Sequence, residues 1–313
     1  MNTNKKNFLV TGGTGFIGSN ICRMLLKRGH KVTIFDNNYR GNLNKIYDIK
    51  KKITFINGDI RDRKKVFSSL KKINAVIHLA YINGTKYFYT KPDLVLDVAI
   101  KGLTNILDGC IDHKIKELYL ASSSEVYQEP SEIPTTENIE LKIPDIFNPR
   151  YSYGGGKIIT ELMGINYGRK FFKKLVIFRP HNVYGPNMGN EHVIPELLNK
   201  IKKLSKRKNK LKIQGTGNET RAFIHINDFV DAFELLIKKG KHLNIYNIGT
   251  NFEIKIKELI SIMTKISGKK IKIIKSNIRK GGTKRRCPDI TKIKKLGFKP
   301  KINLQKGINL LKV

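Results

Sequence analysis

A glycine-rich turn near the start of the chain constrains the fold more than any other feature. Residues 11–18 read Thr-Gly-Gly-Thr-Gly-Phe-Ile-Gly and directly follow a short apolar run. Gly12 permits a tight turn, Gly15 lets the backbone approach a ligand, and Gly18 lets the next helix pack closely on the strand. The pattern predicts a strand, a turn and then an amphipathic helix over Ile17–Arg28. The unpaired N–H groups at the start of such a helix favour an anion.

A carboxylate at the end of the second apolar run indicates which ligand this turn binds. Asp36 follows the run Lys31–Phe35, and this position lies beside the ribose of a dinucleotide bound on a strand–helix–strand unit. A carboxylate there accepts hydrogen bonds from both ribose hydroxyls and repels a 2′-phosphate. The sequence therefore predicts NAD as the cofactor and not NADP. The alternative is an ordinary strand–helix–strand unit that binds no cofactor.

Strand-like and helix-like runs alternate through the first half of the chain, and after about residue 180 the pattern becomes irregular. Alternation is typical of a Rossmann-type α/β fold, a doubly wound parallel sheet that binds ligands at the carboxyl ends of its strands. We expect an NAD-binding domain over residues 1–180 and a smaller mixed α/β substrate lobe over residues 181–313, with some exchange of chain between them. The predicted strands are Phe8–Thr11, Val32–Phe35, Ile53–Ile56, Ala75–Leu79, Glu117–Ala121 and Leu175–Arg179, followed by Lys212–Gln214, Ala222–Ile226, Asn244–Ile248 and Lys270–Ile274.

The chain is strongly basic, with 61 Lys and Arg against 25 Asp and Glu and a net charge of +36. Such an excess is typical of a nucleic-acid or membrane-surface binder, or of a general lysine bias in composition. The lysines are spread along the whole chain, and no aromatic stacking pattern accompanies them. We therefore favour the second explanation and predict neither a nucleic-acid partner nor a membrane partner.

The cysteines and the apolar runs indicate where the protein resides. Cys22, Cys110 and Cys287 show no metal-ligand spacing and cannot all pair, which predicts no metal site and a reducing, cytoplasmic location. No apolar run is long enough to predict a signal peptide or a membrane span.

A tyrosine and a lysine four residues apart form the strongest candidate for catalysis. On a helix, this spacing places Tyr153 and Lys157 on one face. The ammonium group and a positively charged nicotinamide would lower the pKa of the phenol, so that Tyr153 takes a hydroxyl proton while hydride leaves the carbon. Gly154–Gly156 indicate close backbone packing or a close ligand, because each glycine costs a helix about 1 kcal/mol. The alternative is a helix that carries this pair by chance.

A serine-rich run adds further candidates. Residues 122–127 read Ser-Ser-Ser-Glu-Val-Tyr and follow the predicted strand Glu117–Ala121. A hydroxyl at the carboxyl end of a strand can share a hydrogen bond with the reacting oxygen and Tyr153. Glu125 is a candidate acid or base, or a residue that only orders the loop.

Taken in their order, these motifs resemble those of the extended short-chain dehydrogenase/reductase family that acts on nucleotide sugars, which includes epimerases, 4,6-dehydratases and decarboxylases. The resemblance covers nearly the whole chain, and it also includes residues 58–60, 78–80 and 179–186. It implies Ser123 as the catalytic hydroxyl, Tyr153 as the base and Lys157 as its partner. The cofactor-binding residues predicted in this way are Gly12, Gly15, Phe16, Ile17, Gly18, Asp36, Asn37, Asp59, Ile60, Leu79, Ala80, Tyr153 and Lys157.

The resemblance continues in the second half of the chain and implies a substrate site. Arg221, in the run Thr220–Asp228, matches an arginine that holds the substrate diphosphate, and Lys284–Ile290 matches a second phosphate-contacting segment. Arginine suits this role because its planar fork binds phosphate oxygens in pairs. The sequence leaves open which of Arg285 and Arg286 faces inward, and surface charge is the alternative for both segments. Asn182 and Ser124 complete the predicted substrate contacts.

The sequence constrains the product of the reaction less than it constrains the cofactor. Tyr81, Ala99 and Gly154–Gly156 depart from the family pattern. Residues 82–89, 152–157 and 179–182 look most like a subgroup in capsule or lipopolysaccharide sugar pathways, which implies oxidation of a GDP-linked heptose at C4. A 4-epimerase, a 4,6-dehydratase and a non-catalytic dinucleotide-binding protein are the alternatives. The family commonly pairs subunits, so we expect a dimer or a tetramer.

Overall fold

Parallel strands flanked by helices make up the framework of the protein. The computed structural model describes residues 5–205, 209–277 and 281–311. The strands are β1 (Asn7–Thr11), β2 (Lys31–Asp36), β3 (Thr54–Asn57), β4 (Ala75–His78), β5 (Glu117–Ala121), β6 (Lys174–Pro180), β7 (Val183–Tyr184), β8 (Lys210–Lys212), β9 (Thr220–Ala222), β10 (Ile224–His225), β11 (Asn244–Ile248), β12 (Glu253–Lys255), β13 (Lys272–Ile274) and β14 (Arg285–Arg286). The helices are α1 (Phe16–Lys27), α2 (Arg63–Ser69), α3 (Thr85–Thr90), α4 (Pro92–Asp112), α5 (Tyr151–Phe171), α6 (Val193–Lys202), α7 (Ile226–Lys239), α8 (Ile256–Ser267), α9 (Thr291–Lys294) and α10 (Leu304–Asn309), with 3-10 segments at Leu43–Lys52 and Ser124–Tyr127.

Seven of these strands form one parallel sheet in the order β11-β6-β5-β4-β1-β2-β3. β1 pairs with β2 on one side and with β4 on the other, so the strand order reverses at β1. Thr11, the last residue of β1, lies beside Phe35 of β2 and His78 of β4. In a sheet of this kind, ligands bind in the crevice at the carboxyl ends of the strands where the order reverses. The predicted fold class is confirmed.

The two faces of the sheet bury separate apolar layers because neighbouring side chains on a strand point to opposite sides. In β1, Phe8 and Val10 pack into the layer that includes α1 and α7. Leu9 packs into the opposite layer, which α2, α4 and α5 cover. Both layers are fully buried, which explains why the strands read as continuous apolar runs.

The second half of the chain contributes to this sheet and also builds a smaller core. β11 forms an edge of the large sheet beside β6, and α7 packs on α1. A separate apolar cluster joins α6 and α8 with β8. The chain therefore crosses between the two parts, while the division at residue 180 stays a prediction.

Two predicted strands of the second half differ from the structure, and one of them, Lys212–Gln214, shares only Lys212 with β8. Ala222–Ile226 divides into β9 and β10, and Ile226 begins α7. β9 pairs with β12 and β14, whereas β10 pairs with β7, so the two short strands belong to different sheets. Within the described ranges, no helix is long and apolar enough to cross a membrane.

Candidate active site

The glycine turn packs against the segment that follows β4. Gly12 has a φ of 71°, and a Cβ on this residue would lie 2.8 Å from the backbone nitrogen of Ala80. A Cβ on Gly18 would collide with the carbonyl of Gly12, so α1 approaches the turn more closely than other residues allow. Among the described residues, no side chain caps the start of α1. The first N–H groups of the helix are thus open to an anion.

Most of the predicted cofactor-binding residues lie in or beside one cleft of about 240 Å³, called the cofactor cleft below, whereas Tyr153 and Lys157 are not among its lining residues. Phe16, Ile17 and Gly18 form the first turn of α1 beside it. A glycine cradle with an open helix start fits the pyrophosphate of NAD. Eight of the predicted residues line the cleft directly: Gly12, Gly15, Asp36, Asn37, Asp59, Ile60, Leu79 and Ala80.

Two carboxylates lie in this cleft with ordered surroundings. Asp36 accepts hydrogen bonds from the backbone nitrogens of Thr14 at 3.0 Å and Asn38 at 2.8 Å, which leaves lone pairs on both oxygens for ribose hydroxyls. Asp59 accepts a 2.8 Å bond from Arg61, which holds the pKa of Asp59 below its ordinary value. Asn37 donates to Asp59 at 3.2 Å. The ribose role of Asp36 and the adenine role of Asp59 remain predictions.

The structure brings Ser123, Tyr153 and Lys157 together at the carboxyl end of β5. Tyr153 is buried and hydrogen-bonded to Ser123, whose oxygen also accepts a 3.1 Å bond from the backbone nitrogen of Glu125. Lys157 is buried, and its Nζ donates to the carbonyl oxygen of Ala121 at 2.6 Å. The i, i+4 spacing on α5 therefore does place both side chains on one face.

The charge states of this pair differ from the expectation. Burial raises the pKa of Tyr153, although the hydrogen bond from Ser123 opposes the shift. Burial lowers the pKa of Lys157 to about 7, although Glu161 opposes that shift. The chain by itself therefore does not lower the pKa of the phenol, because the ammonium is held at the carbonyl of Ala121 and is itself partly neutral near pH 7.

Glu125 lies among arginines and not in a site that would keep it protonated. Its carboxylate is 2.6 Å from Nη1 of Arg286 and 3.6 Å from Nη2 of Arg150. Burial alone would raise the pKa of Glu125, but the charges of Arg286 and Arg150 outweigh burial and bring it to about 2. Glu125 is therefore a carboxylate at neutral pH. The role of Glu125 as an acid, a base or a residue that orders the loop stays a prediction, and its carboxylate form favours the base.

Arg150, Arg221 and Arg286 form an arginine cluster around this carboxylate. Arg221 and Arg286 are paired neighbours on β9 and β14, and burial together with the charge of Arg286 lowers the pKa of Arg221 to about 10. The Nε atoms of Arg150 and Arg286 are buried and have no hydrogen-bond partner among the described residues. Three cations and Glu125 leave a charge of +2, which suits an anion with two negative charges.

The structure separates the two neighbouring arginines that the sequence left open. Arg286 is buried and donates to Thr283 at 2.9 Å as well as to Glu125. Arg285 has a side chain that is 56% exposed and pairs with Glu253 at 2.7 Å on the surface. Arg286 therefore faces the site, and Arg285 faces away from it, because successive residues of a strand point to opposite sides.

The remaining predicted substrate contacts, Ser124 and Asn182, follow the carboxyl ends of β5 and β6. Ser124 is buried at the start of the 3-10 segment. Asn182 has a positive φ of 40°, and its Nδ2 donates to the carbonyl of Ala222 at 2.9 Å. Neither residue's substrate contact is tested by this geometry.

Sequence reasoning missed Arg150 and a second cleft of about 970 Å³, called the outer cleft below. Residues of α3, Glu196 of α6 and loop residues from three other segments form it, so no single pattern in the sequence indicates it. Its polar lining includes Lys86, Tyr89, Asn148, Asn190, Glu191 and Gln214. The described residues contain no group of three or more His, Cys, Asp and Glu side chains that could hold a metal ion.

Comparison with known proteins identifies the family. The model of the NAD dependent epimerase/dehydratase family matches residues 8–249. The chain belongs to this family. The resemblance of the motifs to nucleotide-sugar epimerases and dehydratases is thereby confirmed at the level of the family, and the cofactor of this epimerase/dehydratase family member is NAD.

Individual relatives cover the chain almost completely. A putative UDP-glucose 4-epimerase from Methanocaldococcus jannaschii is 34% identical over 304 residues, which are 96% of this chain and 95% of that protein. The crystal structure of a UDP-glucose 4-epimerase from Thermotoga maritima with UDP-glucose is 27% identical, covers 97% of both chains and superposes with a TM-score of 0.87. A dTDP-glucose 4,6-dehydratase from Streptomyces venezuelae, solved with NAD, is 25% identical with the same TM-score and covers 97% of this chain and 95% of its own.

Proposed function

We propose that this epimerase/dehydratase family member oxidises C4 of a nucleotide-linked sugar. The substrate that we propose is GDP-D-glycero-α-D-manno-heptose, which would become its 4-keto form for capsular polysaccharide synthesis in the cytoplasm. We propose further that the protein acts as a homo-oligomer. The observation that supports an oxidation is the buried group of Ser123, Tyr153 and Lys157 at the carboxyl end of β5. An intact group of this kind argues against a non-catalytic dinucleotide-binding protein.

The side chains have distinct roles in this proposal. When bound, NAD supplies a hydride acceptor. Tyr153 takes the proton of the C4 hydroxyl, and Ser123, already hydrogen-bonded to Tyr153, holds the same oxygen in place. Lys157 contributes its charge to the stability of the tyrosinate. Residues that we assign to NAD are those of the glycine turn and Asp36.

The arginine cluster supports a diphosphate-linked substrate. A nucleotide sugar carries one negative charge on each of its two phosphates, and the cluster with Glu125 carries +2. The two buried Nε donors that lack partners offer hydrogen bonds to phosphate oxygens. The outer cleft has the polar lining and the volume for the sugar and the base.

The ionised state of Glu125 argues against this residue as the acid of a dehydration. A 4,6-dehydratase requires an acid to expel the C6 hydroxyl. Glu125 has a pKa of about 2 and is held by Arg286, so it carries no proton to donate at neutral pH. A 4-epimerase, which returns the hydride to the same substrate, is the second candidate, and the similarity to UDP-glucose 4-epimerases over nearly the whole chain supports it.

The mass of the product distinguishes these reactions. Purified protein is incubated with NAD and GDP-, UDP-, CDP- and dTDP-linked sugars, including the GDP-heptose. Loss of two hydrogens from the GDP-heptose would support the proposal. Loss of water would indicate a dehydratase, and an unchanged mass with a new retention time would indicate an epimerase. Either result would refute the specific proposal.

A variant of the proposed base tests the assignment of the site. Tyr153→Phe should keep the fold and NAD binding, because the ring still stacks on Phe88 with ring centroids 4.7 Å apart. It should lower hydride transfer by about a hundredfold or more, because the group that takes the proton is removed. Turnover equal to that of the unchanged protein would refute the role of Tyr153.

A further inference from the structure

The tyrosine that departs from the family pattern lies against the catalytic lysine. The ring centroid of Tyr81 is 3.8 Å from Nζ of Lys157. The same ring meets Tyr153 edge to face, with centroids 5.1 Å apart and an interplanar angle of 82°. A ring face within about 6 Å attracts an ammonium group, and the attraction is stronger where both are removed from water.

Tyr81 fits this place because two neighbours are small. A Cβ on Gly156 would collide with the hydroxyl oxygen of Tyr81 and would lie 3.0 Å from the Cβ of Ala99. Gly156 lies inside α5, where glycine is disfavoured, and Ala99 lies on the facing helix α4. Tyr81, Ala99 and Gly156, which each depart from the family pattern, therefore form one steric unit.

The hydroxyl of Tyr81 does not explain its position. This oxygen is buried and has no hydrogen-bond partner among the described residues. A buried polar atom without a partner is unfavourable, so the contact that orients the residue is that of the ring face. Tyr81 also lines the cofactor cleft, so the residue that packs on Lys157 belongs to the predicted NAD site as well.

The titratable groups around Lys157 provide little negative charge, so the ring of Tyr81 contributes substantially to stabilising the ammonium group. Glu161, one turn further along α5, is paired with Arg179 at 2.6 Å, so much of its negative charge is already balanced. Tyr153, one turn earlier, is neutral because burial raises its pKa. His78 of β4 is also neutral, because burial and the charge of Lys157 lower its pKa to about 3.

We propose that Tyr81 is a positioning residue whose ring face holds the ammonium of Lys157 in its charged form at the carbonyl of Ala121. The importance of this charge for hydride transfer rests on the proposed function. The contact itself does not, so it can be tested without any sugar substrate.

The test is the titration of Lys157 in the full-length protein, followed by NMR of lysine labelled with ¹³C at Cε. The signal of Lys157 is assigned by its absence from Lys157→Met. Tyr81→Phe keeps the ring face and should keep the titration midpoint. Tyr81→Leu keeps an apolar side chain but removes the ring face, and the midpoint should fall by about half a pH unit to one and a half pH units.

Two outcomes would overturn the proposal. In the first, Tyr81→Leu titrates at the same pH as the unchanged protein. In the second, Tyr81→Phe shifts the midpoint as far as Tyr81→Leu, since the hydroxyl and not the ring would then be responsible. A protein that titrates as expected but oxidises no sugar would refute the proposed function alone.

A second pair of variants tests the steric unit and does not depend on the folding of Tyr81→Leu. Gly156→Ala should lower the melting temperature because its Cβ meets the hydroxyl of Tyr81. Tyr81→Phe in the same chain should restore much of the loss, since the added Cβ would then lie 3.4 Å from the nearest ring atom, Cζ. Equal losses with Tyr and with Phe at position 81 would refute the packing on which the proposal depends.

Discussion

Replacing Glu125 by glutamine should destabilise the protein strongly at neutral pH, although the two side chains have nearly the same shape. Glu125 is the carboxylate to which Arg286 is bonded at 2.6 Å and near which Arg150 lies at 3.6 Å. Glutamine can keep one hydrogen bond to Arg286 but carries no charge. The three arginines of the cluster would then repel one another without a carboxylate between them.

The size of the effect follows from the pKa of Glu125. The folded protein lowers it from 4.5 to about 2, a difference of about 2.5 pH units. Each unit corresponds to about 1.4 kcal/mol, so the charged carboxylate contributes about 3 kcal/mol to the free energy of unfolding. Because the folded pKa is the lower one, this contribution is complete above pH 4.5 and is lost as the pH falls through 2.

Urea unfolding of the unchanged protein and of Glu125→Gln measures this difference. We expect about 3 kcal/mol at pH 7 and a smaller difference below pH 4.5. Inorganic pyrophosphate should recover part of the loss in Glu125→Gln, since the variant cluster carries +3 instead of +2. Glu253→Gln is the matched control: Glu253 pairs with the exposed Arg285, so its effect should be within about 1 kcal/mol.

The reasoning would be refuted by equal stability of Glu125→Gln and the unchanged protein at pH 7. It would also be refuted by a difference that grows as the pH falls below 4.5. Either result would mean that Glu125 is not held as a carboxylate by the arginines, and a role as a proton donor would again be open.

Two further substitutions test the cofactor cleft and the proposed role of Lys157. Asp36→Ala should weaken NAD binding about tenfold or more and NADP binding less, because the lost carboxylate accepts from ribose hydroxyls but repels a 2′-phosphate; calorimetric titration with both nucleotides measures this, and equal weakening would contradict the ribose role. Lys157→Met should abolish hydride transfer and yet stabilise the protein at pH 7, by at most about 5 kcal/mol from the difference of about 3.5 pH units, less the contribution of the lost hydrogen bond to Ala121. The unfolded chain binds a proton at Lys157 up to pH 10.5 and the folded protein only up to about 7, so the free energy of unfolding of the unchanged protein rises with pH over this interval. The advantage of Lys157→Met should therefore disappear by pH 10.5 in unfolding curves, and an advantage independent of pH would refute the argument.

The features that local sequence signals determine were predicted well. The glycine turn, the helix after it and Asp36 lie within one strand–helix–strand unit, so their spacing alone defines the geometry. The strands of the large sheet were equally clear, because burial on both faces makes them continuous apolar runs. The prediction of a single strand over Ala222–Ile226 was wrong because its two halves pair with strands of different sheets. Such tertiary pairing leaves no local pattern in the sequence.

The charge states in the site depend on residues that are far apart in the chain. Glu125 and Arg286 are separated by 161 positions, and only the folded chain shows that an arginine and not an apolar wall surrounds this carboxylate. The inward direction of Arg286 likewise follows from the pairing of β14 with β9. The sequence shows that Tyr81 departs from the family pattern, but only the folded chain shows that it packs against Gly156.

One element of the site has a clear signal in the sequence, although the predictions above do not include it. Tyr153, Lys157 and Glu161 recur every fourth residue, so the face of α5 that carries the predicted catalytic residues continues for another turn. Glu161 accepts two bonds from Arg179, at 2.8 and 2.6 Å, and also accepts from Ser122. The carboxylate of Glu161 therefore binds Arg179, and its negative charge also raises the pKa of Lys157. Burial disfavours the charged form of Lys157, whereas Glu161 and the ring of Tyr81 favour it, so the protonation of Lys157 reflects a balance of these three influences.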